Sequence, residues 1–422
     1  MVPYLSPAMH LERDGWQLGQ YDLKTITAGM PTPYFLYDPG QIERRYRFLT
    51  ESLGLKDNLL LSYAMKANFH PRILRCIQHL GGGIDAVSPA EIILALKAGI
   101  LPERILFTGN SVTEEALDLA KRAGVDINLG SLYELEKFGA LFPGADVCLR
   151  INTGIGAGED PKINTGGRVT KFGIHMTEVA EAMRLVSRYR LRVVGLHEHT
   201  GSGISDVDLF MAAMSALAQL AERSLFPDLV FLNFGGGFTV PYRFGENGID
   251  YPAFGARVRA LYRQTVGRYG GPLRFVFEPG KYLTAESGIL VTKVCVIKQN
   301  GERWIAGTDS GFPHLHRPIL YGAYHEIINI SNPNGVEKPY DITGNICETG
   351  DRFAEGRRIP EIRPGDLLGI CNAGAYARSM ASQYNLRPLP AEYLIEDGSL
   401  CCITKAVSPA ELAEQIWRES TL

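Results

Sequence analysis

"LLLSYAMKANFHP" (residues 59–71) runs an apolar stretch into a turn and then into an amphipathic helix, and the residue at the junction is an ammonium, Lys66. A short apolar run bounded in this way reads as a strand buried on both faces, the kind found in parallel sheets. Parallel strands need a crossover between them, most often a helix. The unit should therefore repeat.

It does. Between roughly residues 40 and 280 about eight β-rich runs are each followed by a helical pattern. They are "LLLSYAM" (59–65), "GGIDAV" (82–87), "RILF" (104–107), "VDINL" (125–129), "VCLRIN" (147–152), "VVGLHEH" (193–199), "LVFLNF" (229–234) and "LRFVF" (273–277). The spacing predicts a TIM-type (β/α)8 barrel. The helix beginning near Pro89 has Ser88 as its expected N-cap and Gly99 as its expected stop. After residue 283 the texture changes. "GILVTKVCVIKQN" (288–300) alternates, "RWIAGTD" follows an Asn300-Gly301 turn, and "DLLGICNAGAY" follows a Pro364-Gly365 turn. This is hairpin chemistry and predicts a C-terminal β-domain. The strand-like "TPYFLYD" (32–38) near the N-terminus joins it in this reading. The expected division is a barrel over residues 36–283 and a β-rich domain from residues 1–35 and 284–422.

At 422 residues, 45% of them hydrophobic and 21% charged, the chain has the length for two domains and the composition of a soluble globular protein. A net charge of -3 gives no support to nucleic-acid or acidic-membrane binding. There is no apolar run of membrane-spanning length and no leader pattern, so a cytoplasmic enzyme is expected. The seven cysteines are scattered and form no CxxC pair, which argues against a disulfide framework and a zinc site; most read as small core residues.

In such a barrel, functional residues lie at the C-terminal strand ends and in the loops after them. Lys66 ends the first run, Asp85 lies near the end of the second, and Arg150 near the end of the fifth. His199 closes the sixth, Gly235-Gly236-Gly237 follows the seventh, and Glu278-Pro279-Gly280 the eighth. Taken singly, each has a bland explanation: a surface lysine, a turn, a satisfied core histidine, a loop-capping carboxylate. Together their chemistry is coherent. Glycine-rich backbone cradles phosphate, a desolvated lysine forms a Schiff base, and a carboxylate keeps a pyridine nitrogen protonated while an imidazole stacks on the ring. Phosphate, aldehyde and pyridinium describe pyridoxal 5′-phosphate.

With these motifs the chain resembles the fold-type III pyridoxal-phosphate-dependent decarboxylases, which act on diaminopimelate, ornithine and arginine and share the alanine-racemase kind of barrel. "YAMKANFHPRILRCIQHLG" (63–81) is the most specific match. "LHEHTGSG", "NFGGGF", "FEPGKY", "CETGD" (347–351) and "GAYARSMASQYNLRPLPAE" (374–392) follow in the family's order. The resemblance implies that Lys66 carries the cofactor, that His199 stacks on its ring, and that Ser202 binds phosphate with Gly235–Gly237. It implies Glu278 at the ring nitrogen with Arg150 nearby, and Tyr376 in the phosphate region. It also implies that Cys347 acts as proton donor in a neighbouring subunit's site, hence a homodimer with shared sites. Read without the resemblance, Cys347 is a buried thiol.

"RPILYGAYHEI" (317–327) and Glu348 resemble the diaminopimelate branch. There an arginine and tyrosine like Arg317 and Tyr321 meet the substrate's distal carboxylate, and a glutamate like Glu348 faces its distal ammonium. The implied reaction is decarboxylation of meso-diaminopimelate to L-lysine. Lys281 stands where that branch usually has arginine, and Thr349 where it usually has serine, both toward the distal end of the substrate. A decarboxylase of a related or modified amino acid is thus the alternative: a siderophore or antibiotic precursor, or an ornithine/lysine type. His314 and His316 receive no role. Alanine racemases resemble the chain less, since they place arginine rather than a Glu278 equivalent on the ring nitrogen. A non-catalytic member, either a pyridoxal-phosphate carrier or a regulatory homologue that binds a partner, could lose the lysine or the cysteine, and a single-domain carrier would lack the β-domain; the lysine, the cysteine and the β-rich sequence are all present here. A metal-dependent hydrolase built on His197 and His199 lacks further ligands at other strand ends.

Overall fold

The computed structural model describes residues 8–12, 15–156, 158, 165–167, 170–246 and 248–420. It divides into two compact units. One comprises Glu43–Val240 and Asn247–Tyr282; the other comprises the described residues up to Ile42, Pro241–Glu246 and the chain from Leu283 onward.

The first unit is a parallel barrel. Its strands are β1 (Leu59–Ala64), β2 (Gly83–Ala86), β3 (Ile105–Phe107), β4 (Asp126–Leu129), β5 (Asp146–Asn152), β6 (Arg192–His197), β7 (Phe231–Asn233) and β8 (Arg274–Phe277). Each of the eight expected runs supplies one strand. Neighbours in sequence pair in parallel, and β8 pairs back onto β1 to close the ring. Helices separate the strands. That at Pro89–Lys97 starts where Ser88 accepts a hydrogen bond from the Glu91 N–H, and the chain leaves it through Gly99 at φ +92°, a left-handed conformation that costs glycine least.

Strand periodicity decides what lines the barrel. Leu60, Leu106, Cys148, Phe231 and Val276 form an apolar cluster inside it. Two residues further along β5 and β7, and two beyond Val276, the same face carries Arg150, Asn233 and Glu278. A bulge between Val193 and Gly195 puts His197 opposite Arg150 on β5 and Asn233 on β7. Gly195 is required there: a Cβ would lie 2.2 Å from the Phe231 ring. β6 ends at His197, so His199 lies in the following loop instead of closing the strand; the Glu198 N–H still reaches the Asn233 carbonyl at 2.9 Å.

In the second unit Tyr34–Tyr37 pairs antiparallel with the long strand Gly288–Asn300 and parallel with Ala391–Glu396. Gly288–Asn300 turns through Gly301 (φ +60°) into Arg303–Thr308, and Leu367–Ile370 follows Gly365 (φ +94°). Both faces of this sheet are covered. Phe35, Tyr37 and Leu290 enter one apolar cluster, and Tyr34, Leu36, Ile289 and Val291 the other, as an alternating strand demands.

All seven cysteines are free, but the expectation that most sit in the core fails. Cys148 and Cys371 are buried, whereas Cys295, Cys347 and Cys402 are exposed. Cys347 lies in an irregular loop, where no strand periodicity carries it inward. No helix among the described residues is long and apolar enough to cross a membrane.

Candidate active site

The first turn after β1 is a 3₁₀ turn, Met65–Ala67, which leaves the Lys66 side chain 37% exposed while Met65 and Ala67 are buried. Its Nζ donates to Asp85 Oδ2 at 2.7 Å. Asp85 is buried on β2; burial pushes its carboxyl up, and the Lys66 ammonium pulls it back down.

Glu278, just beyond β8, is the hub of a second network. Its Oε1 accepts from Asn233 Nδ2 at 2.7 Å, and its Oε2 lies 3.3 Å from His197 Nε2. Burial raises the affinity of Glu278 for a proton, and Lys66, the Asn233 bond and Arg150 counter it. His197 is held neutral: burial, then the Arg150 charge, keeps it well below the ordinary histidine range. The neutral ring therefore donates from Nε2, and its buried Nδ1 has no partner among the described residues. Arg150 is buried on β5, with its guanidinium carbon 4.4 Å from the centroid of Phe172. Burial lowers its pKa, while Glu278, Asp85, Glu198 and Glu134 oppose that shift.

Asn233 ties this hub to the glycine loop, because its Oδ1 accepts the Gly235 N–H at 2.9 Å. Gly236 N–H donates to His199 Nδ1 at 3.2 Å. This leaves His199 neutral, and burial followed by the Arg150 and Lys66 charges keeps its pKa low. A Cβ on Gly236 would lie 2.4 Å from the Glu278 carbonyl oxygen, and one on Gly237 (φ +97°) 2.6 Å from that of Gly201. No side chain fits this loop. Gly235 and Gly236 thus spend their N–H groups on holding Asn233 and His199, whereas Gly237 N–H and the half-buried Ser202 make no hydrogen bond among the described residues. Gly280 packs against β1, where its Cβ would lie 3.1 Å from that of Ala64.

So the barrel brings together Lys66, Asp85, Arg150, His199, Gly235–Gly237, Glu278 and Gly280, and Lys281 is buried beside them in sequence. Ser202 lies in the same unit; the other residues expected from the sequence belong to the second unit, as a group at Arg317, a group on the Cys347 loop, and Tyr376. Arg317 is buried; it hydrogen-bonds the Tyr242 hydroxyl, lies over that ring at 4.8 Å, and reaches His325 Nε2 at 3.4 Å. Tyr321 ends the short helix Arg317–Tyr321. Cys347, Glu348 and Thr349 are exposed on a loop tied off by Asp351, whose carboxylate accepts Phe312 N–H at 2.7 Å and Ile346 N–H at 2.8 Å. Tyr376 is half-buried with φ +53°, an uncommon conformation for a bulky residue and one that marks functional sites. His314 proves structural: its ring lies 3.0 Å from Ser310 Oγ and 3.2 Å from the Pro388 carbonyl.

Sequence reading overlooked Asn233 and Glu198, and weighed His197 only as a metal ligand. The first could be found by counting: Asn233 lies two residues past the inward Phe231. Glu198 is buried, bonded to Thr200 Oγ1 at 3.0 Å, and burial pushes its carboxyl up to about 8. Nothing in the sequence pattern marks it as buried.

The mouth of the barrel fits pyridoxal phosphate on its own terms. It combines a reachable amine, a loop that excludes side chains, neutral imidazoles, a buried carboxyl, and polar atoms (Arg150 Nη2, Asp85 Oδ1 and His197 Nδ1) buried without partners among the described residues. Residues 39–285 match the pyridoxal-binding domain of the pyridoxal-dependent decarboxylases. The chain belongs to that family.

It is 38% identical over 390 residues to the diaminopimelate decarboxylase of Methanothermobacter thermautotrophicus, covering 91% of each chain. To that of Escherichia coli it is 34% identical over 409 residues, covering 93% of this chain and 95% of the other. The crystal structure of diaminopimelate decarboxylase from Helicobacter pylori complexed with L-lysine superposes with a TM-score of 0.85 at 33% identity, over 94% of this chain and 100% of that one. Membership makes the chain a pyridoxal-phosphate-dependent carboxy-lyase acting on an amino acid, on a TIM barrel with a separate β-domain.

Proposed function

We propose that this enzyme converts meso-diaminopimelate to L-lysine and carbon dioxide. The observation that carries the cofactor chemistry of this reading is the hub at Glu278, a buried carboxyl held between His197 and Asn233 and wired through Asn233 to the glycine loop. When bound, pyridoxal phosphate supplies an electron sink for the pair released as carbon dioxide leaves. Lys66 would hold the cofactor through its side-chain nitrogen, which Asp85 keeps at the barrel mouth. Glu278, whose proton affinity burial has raised, shares a proton with the ring nitrogen. His199, kept neutral, offers a flat face to the ring without repelling it. Gly237, Ser202 and Tyr376 hold phosphate, with Gly235 and Gly236 shaping the loop and Arg150 supplying positive charge.

In this reading residues 36–283 bind the cofactor, and residues 1–35 and 284–422 complete the site. Arg317 and Tyr321 take the distal carboxylate, Glu348 the distal ammonium, and Lys281 and Thr349 line the distal end. Cys347 delivers a proton to the reacting carbon in a partner subunit, so the enzyme is a homodimer with shared sites. The exposure of Cys347 supports this, as does that of the apolar side chains Ile319, Leu320, Tyr384 and Leu386 in the same unit. A cytoplasmic location accords with free thiols.

The test is to incubate the pyridoxal-phosphate-loaded enzyme with meso-diaminopimelate, lysine, ornithine, arginine and a citryl-conjugated diamino acid, and to identify the products. Lysine released from diaminopimelate alone supports the reading. Decarboxylation of another amino acid, with diaminopimelate inert, transfers the chain to the alternative branch.

A further inference from the structure

The loop bearing Cys347 and Glu348 has no regular structure to aim its side chains. What meets it is the turn Tyr384–Leu386, running the opposite way. Cys347 Sγ donates to Asn385 Oδ1 at 3.2 Å, and the Tyr384 hydroxyl donates to Glu348 Oε1. Two consecutive residues thus grip two consecutive residues. Tyr384 is itself propped on Phe312, with ring centroids 5.6 Å apart, and Arg387 Nη2 donates to the Asn345 carbonyl at 3.1 Å, fastening the two segments beyond the pairs.

The backbone of the turn is unusual. Asn385 has φ +55° and ψ +25°, and Leu386 also has φ +55°. Asparagine visits this left-handed region readily, whereas leucine meets steric opposition there. Strain of this kind persists only where surrounding structure over-determines it, and it gathers at functional sites. Here its effect is to turn the Asn385 amide toward a thiol. An amide oxygen only accepts, so this bond exists only while the sulfur carries its proton.

We propose that Tyr384 and Asn385 are positioning residues: Asn385 aims the Cys347 thiol as a proton donor, and Tyr384 fixes Glu348 as the acceptor for the substrate's distal ammonium. This rests on the roles proposed above for Cys347 and Glu348. In the step concerned the S–H bond breaks, a C–H bond forms at the carbon that lost carbon dioxide, and the thiolate regains a proton from water. The two supports act on different parameters, since one serves the proton transfer and the other serves binding.

The test uses the holoenzyme. Asn385→Gly removes the amide but keeps the left-handed backbone unstrained. It should lower kcat by about 10-fold, a fraction of what general acid catalysis contributes, with KM within about 2-fold and the near-visible absorption of the bound cofactor unchanged. Asn385→Asp, which keeps an acceptor oxygen, should retain kcat within about 2-fold. Tyr384→Phe keeps the ring against Phe312 and should raise KM by about 5-fold with little loss of kcat. In a Cys347→Ala background, Asn385→Gly should cost nothing further, because its target is gone. Unchanged kcat in Asn385→Gly, or an equal loss with and without the thiol, overturns the proposal. If Cys347→Ala leaves kcat and product stereochemistry intact, and Glu348→Gln leaves KM intact, it is the underlying assignment that fails.

Discussion

The mouth of the barrel and the Cys347 loop solve one problem in opposite ways. At the mouth, Asp85, Arg150, His197, Asn233 and Glu278 are all buried; Lys66 holds Asp85, His197 and Asn233 hold Glu278, and burial and the neighbouring charges set the protonation of the ionisable members. In the loop, Cys347 and Glu348 are exposed, and each hangs on one side chain of a strained turn. Burial multiplies electrostatic coupling, because charge is poorly screened away from water. Changes at the mouth should therefore propagate through the cofactor site, whereas changes in the loop should remain local to one kinetic parameter.

The largest effect belongs to the mouth. Lys66→Ala should reduce turnover by about 10⁴-fold or more, as loss of a covalent catalytic group does, and should abolish the near-visible absorption of the bound cofactor. Activity and absorption that survive would break the contrast outright. Asn233→Ala should be intermediate. It leaves Glu278 Oε1 without its 2.7 Å donor and frees the Gly235 N–H. A buried acceptor left unpaired costs about 1–3 kcal/mol, or roughly 5–150-fold in cofactor affinity, read by spectral titration with pyridoxal phosphate. A variant that binds the cofactor as the parent does would mean that the hub is not coupled to the loop.

The effects smallest on activity, and confined to stability, compare the two units through pH. Glu198, in the barrel, has a folded-state pKa of about 8 against an ordinary 4.5. The folded state keeps the proton longer, so this contribution to stability is full below pH 4.5 and is lost as pH rises through 8. Glu198→Gln, which cannot titrate, should melt at least a few degrees higher relative to the parent at pH 9 than at pH 5. His314, in the β-rich unit, is the reverse, with burial lowering its pKa from 6.5 to about 4. Its contribution is full above pH 6.5 and is lost as pH falls through 4, by on the order of 3 kcal/mol at most. His314→Gln should flatten the acid limb of the melting profile. Parallel pH profiles for parent and variants would remove titration from the account of either unit.

Much of this was legible without coordinates. The eight barrel runs each became a strand, since apolar runs of four to seven residues alternating with helical patterns leave few other packings. Lys66, Asp85, Arg150 and Glu278 could be picked out because a charge at the end of an apolar run is costly unless used. The grip of Asn385 on Cys347 could not, because the two are 38 residues apart and share no periodicity. Nor could the depth of Glu198, or the exposure of Cys347, which composition would have placed in the core.

Local pattern was enough for the barrel, the order of its strands and the residues that end them, because period and polarity act between near neighbours in the chain. Protonation states, the partners of each polar atom and the strain at Asn385 and Leu386 emerged only from folding. They depend on distances in space between groups far apart in sequence, and those distances exist only once the chain has closed around them.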